Sequence, residues 1–174
     1  MLRLIFAFVD IMLHRRGPDS LPSSPFLLWS LFAASVAADF AVLALAGRSA
    51  RWFAVDLLVL GLNVWFAWAL LRTFNRQPRF RQTMTALLGS GVLLTVLQAP
   101  LVRAVVEPPP DPQNPTLTLP GVLWLLIMIW AMDISAFVFS RALERPYLLC
   151  LCVWIAYFFL MNILHFTMVP PRLA

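Results

Sequence analysis

The chain has 174 residues, 61% of them hydrophobic and only 12% charged, an apolar share well above the roughly 45–50% of soluble domains. An ordinary water-soluble domain is excluded, and the sequence reads as an all-α polytopic membrane helix bundle whose apolar surface is covered more by lipid than by an internal core. The net charge of +5 comes from 13 basic residues, all arginine, set at the ends of apolar runs; a nucleic-acid partner would need a basic stripe in polar surroundings, so the expected partners are the lipid bilayer and its anionic headgroups, with no nucleic acid.

From the N-terminus, Leu2 to Leu13 is apolar except for Arg3 and Asp10, too short to cross about 30 Å of hydrocarbon at about 1.5 Å per residue. Arg3, Ala7, Asp10 and His14 share one helix face, which predicts an N-terminal interfacial amphipathic helix. A secretory signal is the rival, but His14-Arg15-Arg16-Gly17-Pro18 follows where small residues and a cleavage site would be needed. Gly17 to Pro25 then breaks the helix, so residues 1–25 form a segment of their own.

Five transmembrane helices are expected within residues 26–168, at 26–46, 52–71, 83–106, 119–140 and 147–168, with 169–174 as a short tail. The turn Gly47 to Arg51 is so tight that the first two spans should be antiparallel neighbours. Gly89-Ser90-Gly91 and Pro100 interrupt the third. The loop Glu107 to Thr118 carries five prolines and should be extended; Asn114-Pro115-Thr116 is no glycosylation acceptor, because proline holds its middle position. Trp52 and Tyr147, at span ends, suit interfacial belts.

Arginine asymmetry sets the orientation. The flank carrying the N-terminal segment, the basic loop with Arg72, Arg76, Arg79 and Arg81, and the Arg141 to Arg145 turn holds nine arginines, against four on the other. The N-terminus and the basic loop are therefore expected to be cytoplasmic, facing anionic lipid or a partner protein. Arginine throughout, with no lysine, points to a bacterial source and so to the cell inner (plasma) membrane.

An ionisable group in hydrocarbon costs about 2.5–3.5 kcal/mol on insertion scales and asks for a partner or a wet cavity. Asp39 and Asp56 lie about 10 Å and about 6 Å below the outer ends of their spans. With Arg103, Asn162 and His165 at similar depth, they are expected to form a polar cluster in the outer half. Such a cluster serves either as interhelical hydrogen bonding or as a proton-linked or ligand-binding site. Asp133 lies in the inner half, with arginines at the inner boundary such as Arg72 or Arg141 as expected partners, or, as a protonated carboxyl, a backbone or serine oxygen. Ala33, Ala37 and Ala41 form a small-residue stripe on the first span, and Ala86, Ser90 and the flanking glycines another on the third, either of which lets a helix approach closely, within the chain or in self-association.

No catalytic residue, metal site or cofactor is expected. Leu88 stands where a rhomboid-type GxSG motif needs glycine, and Asp39, Asp56 and Asp133 are too scattered for carboxylate-bound metal. No phosphate-binding loop or dinucleotide fingerprint occurs, and Cys150 and Cys152 form neither a redox pair nor a zinc set.

Arg79-Phe80-Arg81-Gln82-Thr83-Met84-Thr85-Ala86-Leu87-Leu88-Gly89-Ser90-Gly91, together with Arg16-Gly17-Pro18-Asp19-Ser20-Leu21-Pro22, resembles the third-span opening and pre-span segment of small bacterial Yip1-like membrane proteins. The resemblance implies five spans, a cytoplasmic N-terminus and no catalytic residues. Eukaryotic members act in membrane trafficking with small GTPases through a long N-terminal region; with about 25 residues ahead of the first span, this chain is not expected to share that partner. The functional expectation is a non-enzymatic scaffold or accessory subunit of a membrane complex. The alternatives are a small transporter using the outer cluster and a membrane enzyme acting on lipids.

Overall fold

A computed structural model describes residues 2–48, 50–106 and 118–168. Six α-helices follow one another: α1 (Leu2–Met12), α2 (Pro25–Leu45), α3 (Ala50–Thr73), α4 (Phe80–Val106), α5 (Leu119–Leu143) and α6 (Tyr147–Met168), with 3-10 turns at Pro18–Ser20 and Gln77–Arg79. Among the described residues there is no strand. The last five helices are each long and apolar enough to cross a membrane. The proline-rich loop over 107–117 and the tail 169–174 lie outside the described residues.

Local chemistry sets the helix ends. Ser24 and Thr118 cap α2 and α5, each side chain accepting a backbone N–H at 3.4 Å, from Leu27 and Gly121, with proline in the first turn. α1, α2, α3 and α5 end on left-handed residues, His14, Gly47, Asn75 and Glu144. In each case the following residue donates its N–H back into the last turn: Arg15 to Asp10, Arg48 to Leu43, Arg76 to Leu71 and Arg145 to Ser140.

α4 is the central element. It packs extensively against α2 on one side and α5 on the other, and α6 packs on α5. α3 touches α2, α4 and α6 more sparsely. The first two spans are thus neighbours, but the main partner of α2 is α4. No residue of α2 is fully buried, and Ala33, Ala37 and Ala41 are exposed. By contrast Ala86 and Ser90 of α4 are buried. Helix α4 runs unbroken through Gly89-Ser90-Gly91 and Pro100. The Ser90 hydroxyl donates to the Ala86 carbonyl at 2.7 Å, satisfying it within its own helix.

α1 docks its apolar stripe on the flank of α4 and α5. Phe8, Ile11 and Met12 are buried in one cluster with Ala86, Leu94, Ile134 and Val138. Gly89 makes the seat: a Cβ there would lie 2.3 Å from the Phe8 ring. Gly89 is nine residues into α4, about 14 Å along its axis. α1 therefore rests against the side of the bundle, with Ile5, Phe6 and Val9 left exposed.

Candidate functional site

Three of the left-handed helix ends, His14, Asn75 and Glu144, gather where α3 meets α4 and α5 meets α6, here termed the basic end. A non-glycine residue in this conformation costs about 1–2 kcal/mol, so a side chain placed there is expected to be in use. His14 stacks on Phe137 with ring centroids 4.2 Å apart, and its Nε2 lies 3.2 Å from Asp133 Oδ2. The other Asp133 oxygen accepts the Tyr147 hydroxyl at 2.5 Å. One carboxylate thus joins the end of α1, the body of α5 and the start of α6.

Glu144 plays the matching part for the α3–α4 turn. Its carboxylate takes Arg76 on one oxygen and Arg79 Nη2 on the other, the latter at 2.5 Å. The second Arg79 nitrogen donates to the carbonyls of Arg141 and Ala142 at 3.2 and 3.4 Å, satisfying C-terminal acceptors of α5. The pre-span segment is held by the Gln82 amide, which donates to the Leu21 carbonyl at 3.1 Å, and α1 by the Trp130 indole N–H on the Met12 carbonyl at 3.3 Å. Beside the Asp133 and Glu144 contacts lies a cleft of about 870 Å³ whose lining includes His14, Asp133, Tyr147, Glu144, Arg141 and Arg145.

Several expectations are corrected here. Asp133 does not meet Arg72 or Arg141: its partners are His14 and Tyr147, while Arg72 lies 4.9 Å from the centroid of the Trp68 ring and Arg141 lies 5.5 Å from that of Phe137. Tyr147 points at Asp133 instead of serving only as an interfacial aromatic. Of the basic loop, Arg76 and Arg79 are engaged by Glu144, and Arg81 is exposed at the start of α4. Sequence reasoning missed His14, Glu144 and Tyr147 as site residues. The available signal was that His14 directly follows a helix and that Glu144 is the one acid in the α5–α6 turn.

The expected outer-half cluster forms in part. Asp56 Oδ1 lies 3.6 Å from His165 Nδ1, and the His165 ring packs against Trp52 at 5.2 Å. Asp39 and Asp56 line one cleft of about 370 Å³ with Ser35, Asn63, Ser135 and Trp154. Asn162 turns back on its own helix, donating to the Phe158 carbonyl at 2.9 Å. The side chain of Arg103 lies outside the described residues. At this end Arg51 donates to the Met168 carbonyl at 2.7 Å, tying the start of α3 to the end of α6.

The fold defines a multi-pass α-helical membrane protein, and among the described residues clefts with polar side chains in their lining lie at the basic end and around Asp39 and Asp56. No family model matches the chain, and no curated protein or solved structure does either. Among the described residues no group of histidine, cysteine and carboxylate side chains is arranged to hold a metal ion.

Proposed function

We propose that this protein is a scaffold or accessory subunit in a membrane complex, in the cell inner membrane with its basic end cytoplasmic, and that α2 is the helix it offers to a partner membrane protein. The observation that carries the reading is the open side of α2: none of its residues is fully buried, and Ala33, Ala37 and Ala41 line an outward face on which another helix backbone could approach closely. Three carboxylates support it too, since each joins segments of the chain itself: Glu144 to the α3–α4 turn, Asp133 to α1 and α6, Asp56 to His165. The Yip1-like resemblance belongs to the same proposal.

The test is a single cysteine at Ala37 in a Cys150→Ser, Cys152→Ser background, oxidised in native membranes. One dominant cross-linked partner is expected. A self-dimer would make the scaffold self-assembling, and an absence of any discrete product would overturn the reading. A second reading, a small transporter, is favoured by the Asp56–His165 pair and Asp39 sharing one cleft. Proton-coupled uptake into reconstituted vesicles that vanishes in Asp39→Asn would select it.

A further inference from the structure

The cleft at the basic end has more cationic capacity than its own carboxylates use. Four guanidiniums, Arg76, Arg79, Arg141 and Arg145, stand on or beside it with three carboxylates, Asp19, Asp133 and Glu144. Asp133 is committed to His14 and Tyr147, and Glu144 to Arg76 and Arg79. Among the described residues no carboxylate pairs with Arg141 or Arg145; their guanidiniums rest near the rings of Phe137 and Phe74, 5.5 and 5.1 Å from the centroids. Aromatic faces hold a guanidinium in place while leaving its N–H fork free to donate. Asp19 is directed back over Gly17, its Oδ1 occupying the space a Cβ would take there.

The left-handed residues fix the frame of the cleft. His14 and Glu144 hold φ of 59° and 54° at helix ends where glycine is ordinarily favoured, and both side chains line this cleft. Helix-stopping alone would be served better by glycine.

We infer that this cleft binds a phosphate group, bidentately held by Arg141 and Arg145, with the Tyr147 hydroxyl and the His14 imidazole close by. Arginine forks match phosphate oxygens in planar paired bonds. At the end of the bundle that carries the arginine-rich turns, the phosphate of an acidic lipid headgroup and free inorganic phosphate share that chemistry. The inference stands apart from the scaffold reading, because either cross-linking outcome on α2 is compatible with a filled cleft.

The test uses the full chain in a neutral detergent, titrated separately with dioctanoyl phosphatidic acid, inorganic phosphate and, as a zwitterionic control, dioctanoyl phosphatidylcholine, and read by intrinsic fluorescence. Saturable binding of phosphatidic acid is expected, weakened on the order of tenfold or more in Arg141→Gln/Arg145→Gln and unchanged in Arg48→Gln at the other end. Binding of phosphatidic acid alone identifies a headgroup site, and binding of both anions a phosphate site. Absence of saturable binding to the wild-type chain overturns the inference whatever the variants do. Equal binding of phosphatidylcholine, or an equal loss in Arg48→Gln, overturns it as well.

Discussion

The seat of Phe8 on Gly89 gives the sharpest quantitative prediction. A Cβ at Gly89 would lie 2.3, 2.4 and 2.6 Å from three ring atoms of Phe8, where ordinary contact begins near 3.4 Å. Phe8 is only 3% exposed, so Gly89→Ala forces the ring back by roughly 1 Å inside a packed cluster, at a cost of about 1–3 kcal/mol. Charged to the docking of α1, that is about a 5- to 150-fold shift toward the undocked helix. The readout is the labelling rate by a small maleimide of a cysteine at Met12, which is buried in the docked state, in the Cys150→Ser, Cys152→Ser background. Gly89→Ala should raise the rate by that factor. Phe8→Ala should raise it alone through loss of packing, by less than a water-facing core would show, because lipid tails are as apolar as the site the ring leaves. The double variant should show no further increase from Gly89→Ala, since the clash is gone. A rate insensitive to Gly89→Ala, or an equal increment with and without Phe8, would refute the reasoning.

Two further outcomes separate backbone from side-chain effects at the basic end. Glu144→Ala should lower thermal stability in detergent by roughly 0.5–2 kcal/mol, since partly exposed ion pairs are worth about 0.2–1 kcal/mol each, whereas Glu144→Gly should be near neutral because glycine relieves about 1–2 kcal/mol of left-handed strain; equal losses would contradict the helix-end argument. Asp133→Ala should be worse than Asp133→Asn by about 1 kcal/mol, because asparagine still accepts the Tyr147 hydroxyl; that gap should close in a Tyr147→Phe background, and a gap that persists there would assign the effect elsewhere.

The spans were legible because a bilayer imposes a one-dimensional demand, about 20 apolar residues at a time. The helices observed begin and end close to the apolar runs; α4, for example, opens at Phe80 where Thr83 was expected. Their partners were much less legible. A helix apolar all round, such as α2 or α5, carries no stripe to say which side faces protein, so the preference of α2 for α4 over its sequence neighbour α3 left no mark in hydropathy. Depth counting brought Asp56 to His165, because two groups at one level in adjacent spans can meet. It failed for Asn162, whose amide finds an acceptor one turn back on its own helix. It failed for Asp133 because the partner, His14, sits on a segment ahead of the first span whose fold against α5 depends on the left-handed turn at His14 itself.

The dependence of α2 on α4 bears on how the molecule is assembled. During synthesis α2 and α3 emerge before α4, so the surface against which α2 finally rests belongs to a helix not yet made. Until α4 arrives, lipid must stand in for it. Insertion and packing of α2 are therefore separate events here, and the second has to wait until α4 has been made.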